Sequence, residues 1–371
     1  MGEGSDKSEQ TLRLSASADG SAHNGADEAI ARAAALLRAG RLVAFPTETV
    51  YGLGADATNA DAVVAIFVAK ERPLSDPLIV HIAEIDEMGR VARDIPPIAW
   101  ELARRFWPGP LTLVLPRGAA IPPIVAAGGD TVGVRLPSHP VARALLRATG
   151  VPVAAPSANR FMRTSPTTAE HVLTDLDGRI AAVLDGGPCA VGVESSVLDL
   201  TTTPPRLLRP GGVTLEELRE VLPTIQGPAE RAVSDGSDAG AAGVTKSPGQ
   251  MERHYAPRTR LLVYDAMGDA GRDAVLVGAR HALADGLRVG ALTTDDEAPS
   301  LVALGVAVES LGPAGALDQH TRRLYAALRA LDRRGCDVLL AHVFPREGLG
   351  LALWDRLRRA AGGHLTQPKG Q

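Results

Sequence analysis

Aromatic side chains are scarce in this chain, 3% of its residues, which leaves little for the base-stacking platforms of single-strand nucleic-acid binders. Cysteine is scarcer still. Cys189 and Cys336 stand far apart, with no Cys-x-x-Cys or Cys/His spacing, so a disulfide framework and a cysteine zinc site are both excluded and a reducing cytoplasm is expected. No apolar run approaches the ~20 residues of a membrane-spanning helix, so no membrane role is expected, and the N-terminal stretch lacks the basic-then-apolar order of a secretory signal. Neither sign of charge dominates. A net charge of −4 argues against a chain that mainly coats nucleic acid, while a local basic groove would survive that average. No Gly-x-Ser-x-Gly elbow surrounds the serines, and no Walker A sequence is present, so any nucleotide must be held in another way.

What is there reads as an ordinary globular composition, 45% hydrophobic and 22% charged, over 371 residues, long enough for two cores. Residues 1–26 read as a disordered tail. From Asp27, an N-cap candidate, strands and helices mix without regular βαβ alternation, which predicts a mixed-sheet α/β domain over 27–222. Asn59 is expected to cap the helix over Ala60–Glu71, and Thr214 with Glu217 to form a capping box. Residues 223–258 lose periodicity and fill with Gly, Ala, Ser, Asp and Pro, the composition of a linker. Residues 259–362 then alternate strand and helix in the manner of a smaller, Rossmann-like α/β domain, with a short tail at 363–371. Nothing in that second half shows paired catalytic side chains, so a supporting role is expected for it.

The chemistry-bearing stretches lie in the first half. "FPTETVYGLGADA", Phe45 to Ala57, places Thr47, Glu48 and Thr49 just past a strand end, where open α/β sheets put ligands. Gly52, Gly54 and Ala57 mimic a dinucleotide fingerprint, but six residues separate them from the strand, and a turn with positive-φ glycines is the plainer expectation. Lys70 and Arg72 either complement a helix C-terminus or supply the ammonium and planar fork of an anion site. His81, within "LIVHI", reads as a core histidine or, less simply, as a ligand contact. Arg135, inside the apolar strand "TVGVRLP", requires a buried anionic partner or an open cleft. Ser157 and Asn159 in "APSANR" supply small polar groups suited to a nucleotide or phosphate, or to a plain turn. "VESSVLDL" brings Glu194, Ser195 and Ser196 to a strand start, and "RLLRPGG" places Arg209 before a Pro-Gly-Gly turn.

In order and spacing, "FPTETVYGLGADA", "KERPLSDPLIVHI", "WPGPLTLVL", "VGVRLPSHP", "APSAN", "VESSVLDL", "LLRPGG" and "SPGQMERHYAP" closely resemble the Sua5/YrdC family of threonylcarbamoyl-AMP synthases. The resemblance runs from about Asp27 to Pro257, and the following region is similar to the extra domain of the two-domain Sua5 form. It implies condensation of L-threonine, bicarbonate or CO2, and ATP to threonylcarbamoyl-AMP and pyrophosphate. The product would pass to a downstream tRNA threonylcarbamoyl transferase complex for t6A at position 37, with a tRNA contact as a further implied partner. By the same resemblance Thr49, Arg72, His81, Arg135 and Ser195 would surround threonine and its carbamate. Lys70, Asp76, Thr131, Ser157, Asn159, Ser165, Arg209, His254 and Tyr255 would contact ATP, with Mg2+ on its phosphates and no protein metal ligand named. Lys70 and Arg72 would be the catalytic cations. Ser247–Pro257 would be a lid. The chain departs from the family's pattern at Asp76, where Asn is expected, and at Gln250, where a more hydrophobic residue is expected.

Three other readings compete. An RNA-binding module would show steep salt dependence without ATP turnover. The carbamoyl-transfer step of hydrogenase maturation uses a related domain but requires zinc-finger cysteine pairs that two isolated cysteines cannot supply. A dehydrogenase would have to rest on Gly52 and Gly54 alone.

Overall fold

The computed structural model describes residues 10–16, 23–228 and 253–368, which fall into two compact units. The first holds the described residues of 1–161 and 166–189. Its elements are β1 (Leu12–Ser15), α1 (His23–Arg38), β2 (Val43–Phe45), β3 (Gly52–Asp56), α2 (Ala60–Lys70), β4 (Ile79–His81), α3 (Met88–Val91), α4 (Pro97–Phe106), β5 (Leu111–Pro116), β6 (Thr131–Arg135), α5 (Pro140–Thr149), β7 (Val153–Ala154), α6 (Ala169–Leu176) and β8 (Ala182–Asp185). Its strands hydrogen-bond in the order β1-β8-β2-β3-β7-β4-β6-β5. The sheet is mixed, as expected: β1 with β8, β2 with β8 and β4 with β6 run parallel, the other pairs antiparallel. Helices α1 and α5 bury Ala33, Leu37, Ala142 and Leu145 with Val43, Phe45 and Leu184 of the strands, which forms the core behind the loops at the strand ends.

The second unit holds the described residues of 162–165, 190–232 and 249–371. It contains β9 (Ser196–Asp199), β10 (Arg206–Arg209), α7 (Leu215–Val221), β11 (Arg260–Tyr264), α8 (Gly268–Ala284), β12 (Val289–Thr293), α9 (Ala298–Val302), β13 (Ala307–Ser310), α10 (Leu317–Arg333), β14 (Val338–His342) and α11 (Gly348–Ala360). Strands β9 and β10 form an antiparallel pair. A separate all-parallel sheet runs β11-β14-β12-β13, the Rossmann-like arrangement expected, over a core that includes Val275, Ala279, Ala291 and Leu340.

Several expectations are corrected. Residues 12–15, expected within a tail, form a strand in register with Ala182–Asp185, and α1 begins at His23 rather than after Asp27. The partner lies far along the chain, so no local pattern announces it. Gly52 and Gly54 lie in a strand antiparallel to β2, not in a turn, and neither has a positive φ. A Cβ on Gly54 would fall 2.9 Å from the Phe45 ring and 3.0 Å from Val153, so glycine serves close approach here. By contacts alone residues 190–222 cluster with the second unit, where Glu194 and Pro210 bond to α11, which leaves the expected domain boundary itself untouched. The C-terminal stretch is not wholly a tail: Thr366 bridges to Tyr264 of β11. Of the expected linker, Ile225 is buried and Gln226 bridges to Arg206, while 229–252 lie outside the described residues.

The local signals that did hold are caps. Asn59 Oδ1 accepts from the backbone N–H of Asp61 at 3.1 Å and Ala62 at 3.2 Å, a cap of about 1 kcal/mol. Thr214 and Glu217 close the reciprocal box that starts α7.

Candidate active site

In the first unit the polar loop after β2 folds on its own side chains. Thr47 Oγ1 accepts from the N–H groups of Thr49 and Val50, each at 3.2 Å, and lies 2.8 Å from Thr49 Oγ1. The Tyr51 hydroxyl donates to the carbonyl of Gly187 at 2.7 Å and fastens the loop to the segment after β8. Arg135 ends β6 and is buried, and its guanidinium donates to Glu48 at 2.7 Å and to Thr49 Oγ1 at 2.9 Å. Glu48 also accepts the N–H of Ser138 at 3.0 Å. The buried anion that Arg135 demanded is therefore Glu48, supplied by the loop itself.

His81 ends β4 in register with Arg135. Burial, and then the neighbouring guanidinium, lower its pKa to about 3, so its imidazole is neutral. Lys70, the last residue of α2, is 1% exposed, and its ammonium donates to the carbonyls of Ser157 and Asn159. Burial, with Arg72 second, holds its pKa well below the usual lysine value. Arg72 forms a buried ion pair with Asp76 at 3.0 Å and donates to the Pro77 carbonyl at 2.8 Å. The aspartate that departs from the family pattern thus has a cation of its own. Thr131 starts the strand that Arg135 ends, about 13 Å away at strand spacing, so the structure does not bring it to the Arg135 group.

In the second unit the remaining residues gather around Glu194. This carboxylate accepts from Ser165 Oγ at 2.6 Å, Tyr325 at 2.9 Å and Arg356 Nε at 2.7 Å. Burial alone would raise its pKa, yet Arg356, Arg209 and the Ser165 hydroxyl outweigh that and bring it to about 2. Arg209 donates to both the carbonyl and the hydroxyl of Ser195, each at 3.1 Å. The Pro-Gly-Gly turn has a steric reason: a Cβ on Gly211 would overlap the Glu194 carbonyl oxygen.

Of the expected lid, 247–252 lie outside the described residues and 253–257 lie within them. His254 donates its N–H to the Arg359 carbonyl at 3.2 Å, and Ala256 bonds to Met162 at 2.9 Å. Tyr255 has φ of 61° and is 1% exposed. Its hydroxyl has no hydrogen-bond partner among the described residues, and burial, then Glu194, raise its pKa, so it stays a donor. An orphaned buried donor costs about 1–3 kcal/mol, which a bound acceptor would recover.

Glu48 and Glu194 are singled out by the sequence but carry no assigned contact there, while Tyr325 and Arg356 are not singled out at all. Arg356 carries a faint signal, since Asp355 and Arg356 interrupt the buried stripe Ala352, Leu353, Leu357 and Ala360 of α11. Among the described residues no three His, Cys, Asp or Glu side chains cluster as a metal site.

Residues 35–211 match the Sua5/yciO/yrdC family model, described as telomere recombination. Residues 213–362 match the model described as threonylcarbamoyl-AMP synthase, C-terminal domain. The chain is 46% identical over 342 residues to the threonylcarbamoyl-AMP synthase of Bacillus subtilis (strain 168), covering 92% of this chain and 95% of that one. To the threonylcarbamoyl-AMP synthase of Pyrococcus abyssi (strain GE5 / Orsay) it is 43% identical over 331 residues, covering 89% and 93%. The crystal structure of P. abyssi Sua5 complexed with L-threonine matches with a TM-score of 0.84 at 40% identity, over 96% of this chain and 99% of that one.

Proposed function

This chain belongs to the Sua5/YrdC family of threonylcarbamoyl-AMP synthases, and we propose that it condenses L-threonine, bicarbonate or CO2, and ATP to threonylcarbamoyl-AMP and pyrophosphate. The observation that carries this reading is the likeness, over 96% of the chain, to a P. abyssi structure complexed with L-threonine. The reaction makes it a nucleotidyltransferase. Its product would feed t6A formation on tRNA through a downstream transferase, in the cytoplasm.

The neutral threonine amine adds to CO2 and gives up one proton to water, leaving a carbamate; a carbamate oxygen then attacks the α-phosphorus of ATP, and pyrophosphate leaves. Negative charge gathers in both steps, so the site needs donors and cations rather than a strong base. Thr49, His81, Arg135 and Ser195 are assigned to threonine, and Arg72 to its carboxylate or carbamate. Neutral His81 can accept or donate one hydrogen bond without adding charge. Lys70, Thr131, Ser157, Asn159, Ser165, Arg209, His254 and Tyr255 are assigned to ATP, and Asp76 acts through the Arg72 pair. Lys70 and Arg72 are the catalytic cations of this assignment.

Mg2+ fits this site only as part of the nucleotide. The described residues offer no acidic cage, and Asp76 is already neutralised by Arg72, so the ion would be held by phosphate oxygens and water. Bound there, it would neutralise charge on the leaving pyrophosphate.

The test is to supply ATP, Mg2+ and bicarbonate with each amino acid in turn, measuring pyrophosphate and the mass of any adenylate. Pyrophosphate that requires both threonine and bicarbonate is the expected result. Release with no amino-acid dependence would overturn the reading.

A further inference from the structure

We propose that Arg356 and Tyr325, on the last two long helices of the chain, are positioning residues for the nucleotide side of the site. They hold Glu194, the Pro-Gly-Gly turn and Tyr255 in one buried network. The proposal rests on the synthase reading for the identity of the nucleotide reaction.

Three nitrogens of Arg356 each have a separate partner. Nε donates to Glu194 at 2.7 Å, one terminal nitrogen to Asp355 at 2.6 Å, and the other to the Pro210 carbonyl at 3.0 Å. The guanidinium also lies 5.0 Å from the centre of the Tyr255 ring, within cation–π range. Tyr325 donates to Glu194 and sets its ring 5.9 Å from that of Tyr255. One arginine therefore touches three separate motifs, "VESS", "RPGG" and "RHYAP".

The network explains two costs borne by the fold. A bulky residue in the left-handed region costs on the order of 1–3 kcal/mol and persists only where its surroundings over-determine it. Tyr255 at φ 61° is such a residue, and His254, Tyr325 and Arg356 crowd its ring. A buried carboxylate is likewise tolerable only with its cation in place. Both conditions are met by α10 and α11. The C-terminal domain thereby sets the orphaned Tyr255 hydroxyl relative to Ser165, Ser195 and Arg209. The residues it orders are those assigned to ATP, apart from Ser195.

The test uses the full chain and titration with a non-hydrolysable ATP analogue, alongside KM for ATP and for threonine. Tyr325→Phe keeps the ring and removes only the donor to Glu194. It should remain folded, weaken analogue binding roughly tenfold, and leave KM for threonine within about twofold. Arg356→Met alone strands Glu194 and should destabilise the protein, so it is paired with Glu194→Gln. In that double variant the melting temperature should recover while analogue affinity does not, because the cation over Tyr255 is still missing. Recovery of affinity together with stability would overturn the proposal, as would a folded Tyr325→Phe with unchanged analogue binding. Analogue binding without threonine-dependent pyrophosphate in the unmodified chain would sink the synthase reading instead and leave the network measurable. An unmodified chain that binds no analogue would sink both.

Discussion

The guanidinium of Arg135 lies 2.7 Å from the carboxylate of Glu48, and both side chains are almost fully buried. Removing either partner alone strands a buried charge, at a cost of about 3–5 kcal/mol. Arg135→Met and Glu48→Gln should each lower the denaturant midpoint sharply, and the double variant should regain most of the loss. Threonine-dependent pyrophosphate release should stay absent in the double variant, since Thr49 has lost its donor. Equilibrium unfolding alongside the turnover assay checks both halves.

Lys70→Met removes the donor that ties the carbonyls of Ser157 and Asn159 to the end of α2. Each orphaned carbonyl costs about 1–3 kcal/mol if water does not replace the ammonium. The expected outcome is a less stable protein whose affinity for ATP falls more than its affinity for threonine. Urea melts and separate ligand titrations measure this. Unchanged stability would mean that the lysine does not brace that turn.

Gly211→Ala should be among the most damaging single-methyl additions. Its Cβ would overlap the carbonyl carbon of Ser195 and the nitrogen of Ser196, backbone atoms that no rotamer change can move aside. Overpacking of this kind costs about 1–3 kcal/mol or more. Gly89→Ala, whose Cβ would meet nothing within 4 Å among the described residues, is the matched control and should melt like the unmodified chain. Comparing the two melting temperatures is sufficient.

The buried pair Glu297–His342, 3.0 Å apart between the residue before α9 and the end of β14, predicts a pH signature. Burial alone would raise the Glu297 pKa, but the His342 bond brings it to about 2, so its stabilisation is present above the usual carboxylate range and fades as pH falls towards 2. Burial would lower His342, yet Glu297 raises it above the ordinary histidine value, so that share is full below about pH 6.5 and is lost as pH climbs through the raised value. Glu297→Gln should therefore destabilise most between about pH 5 and 6.5, by about 1–3 kcal/mol, and least at either extreme. Thermal melts across that range, with and without the substitution, would show a gap that is widest in the middle.

Local chemistry was readable in the sequence wherever cause and effect sit within a few residues. Asn59 capping α2, the Thr214–Glu217 box, and an arginine in an apolar strand needing an anion all hold because each is a statement about near neighbours or about burial itself. Strand β1 escaped because its hydrogen bonds come from Ala182–Asp185, and β3 because two glycines in five residues look like a turn until Phe45 and Val153 are seen pressing on them. Arg356 and Tyr325 escaped for the same reason as β1. Their partner Glu194 lies more than 130 residues away, and neither helix carries a catalytic spacing of its own.

Strand β1 also has a protective side. It is the outermost strand beside β8, and Arg13 clasps Asp185 at 2.6 Å as if buttoning the seam. Trimming the chain to the first strongly helical residue would bare the row of N–H and carbonyl groups along Ala182–Asp185, a strand that includes the fully buried Val183 and Leu184. An open margin of that kind recruits strands from other molecules. A shortened protein would then self-associate for a reason unrelated to its chemistry, and an assay on it would measure clumping before it measured catalysis.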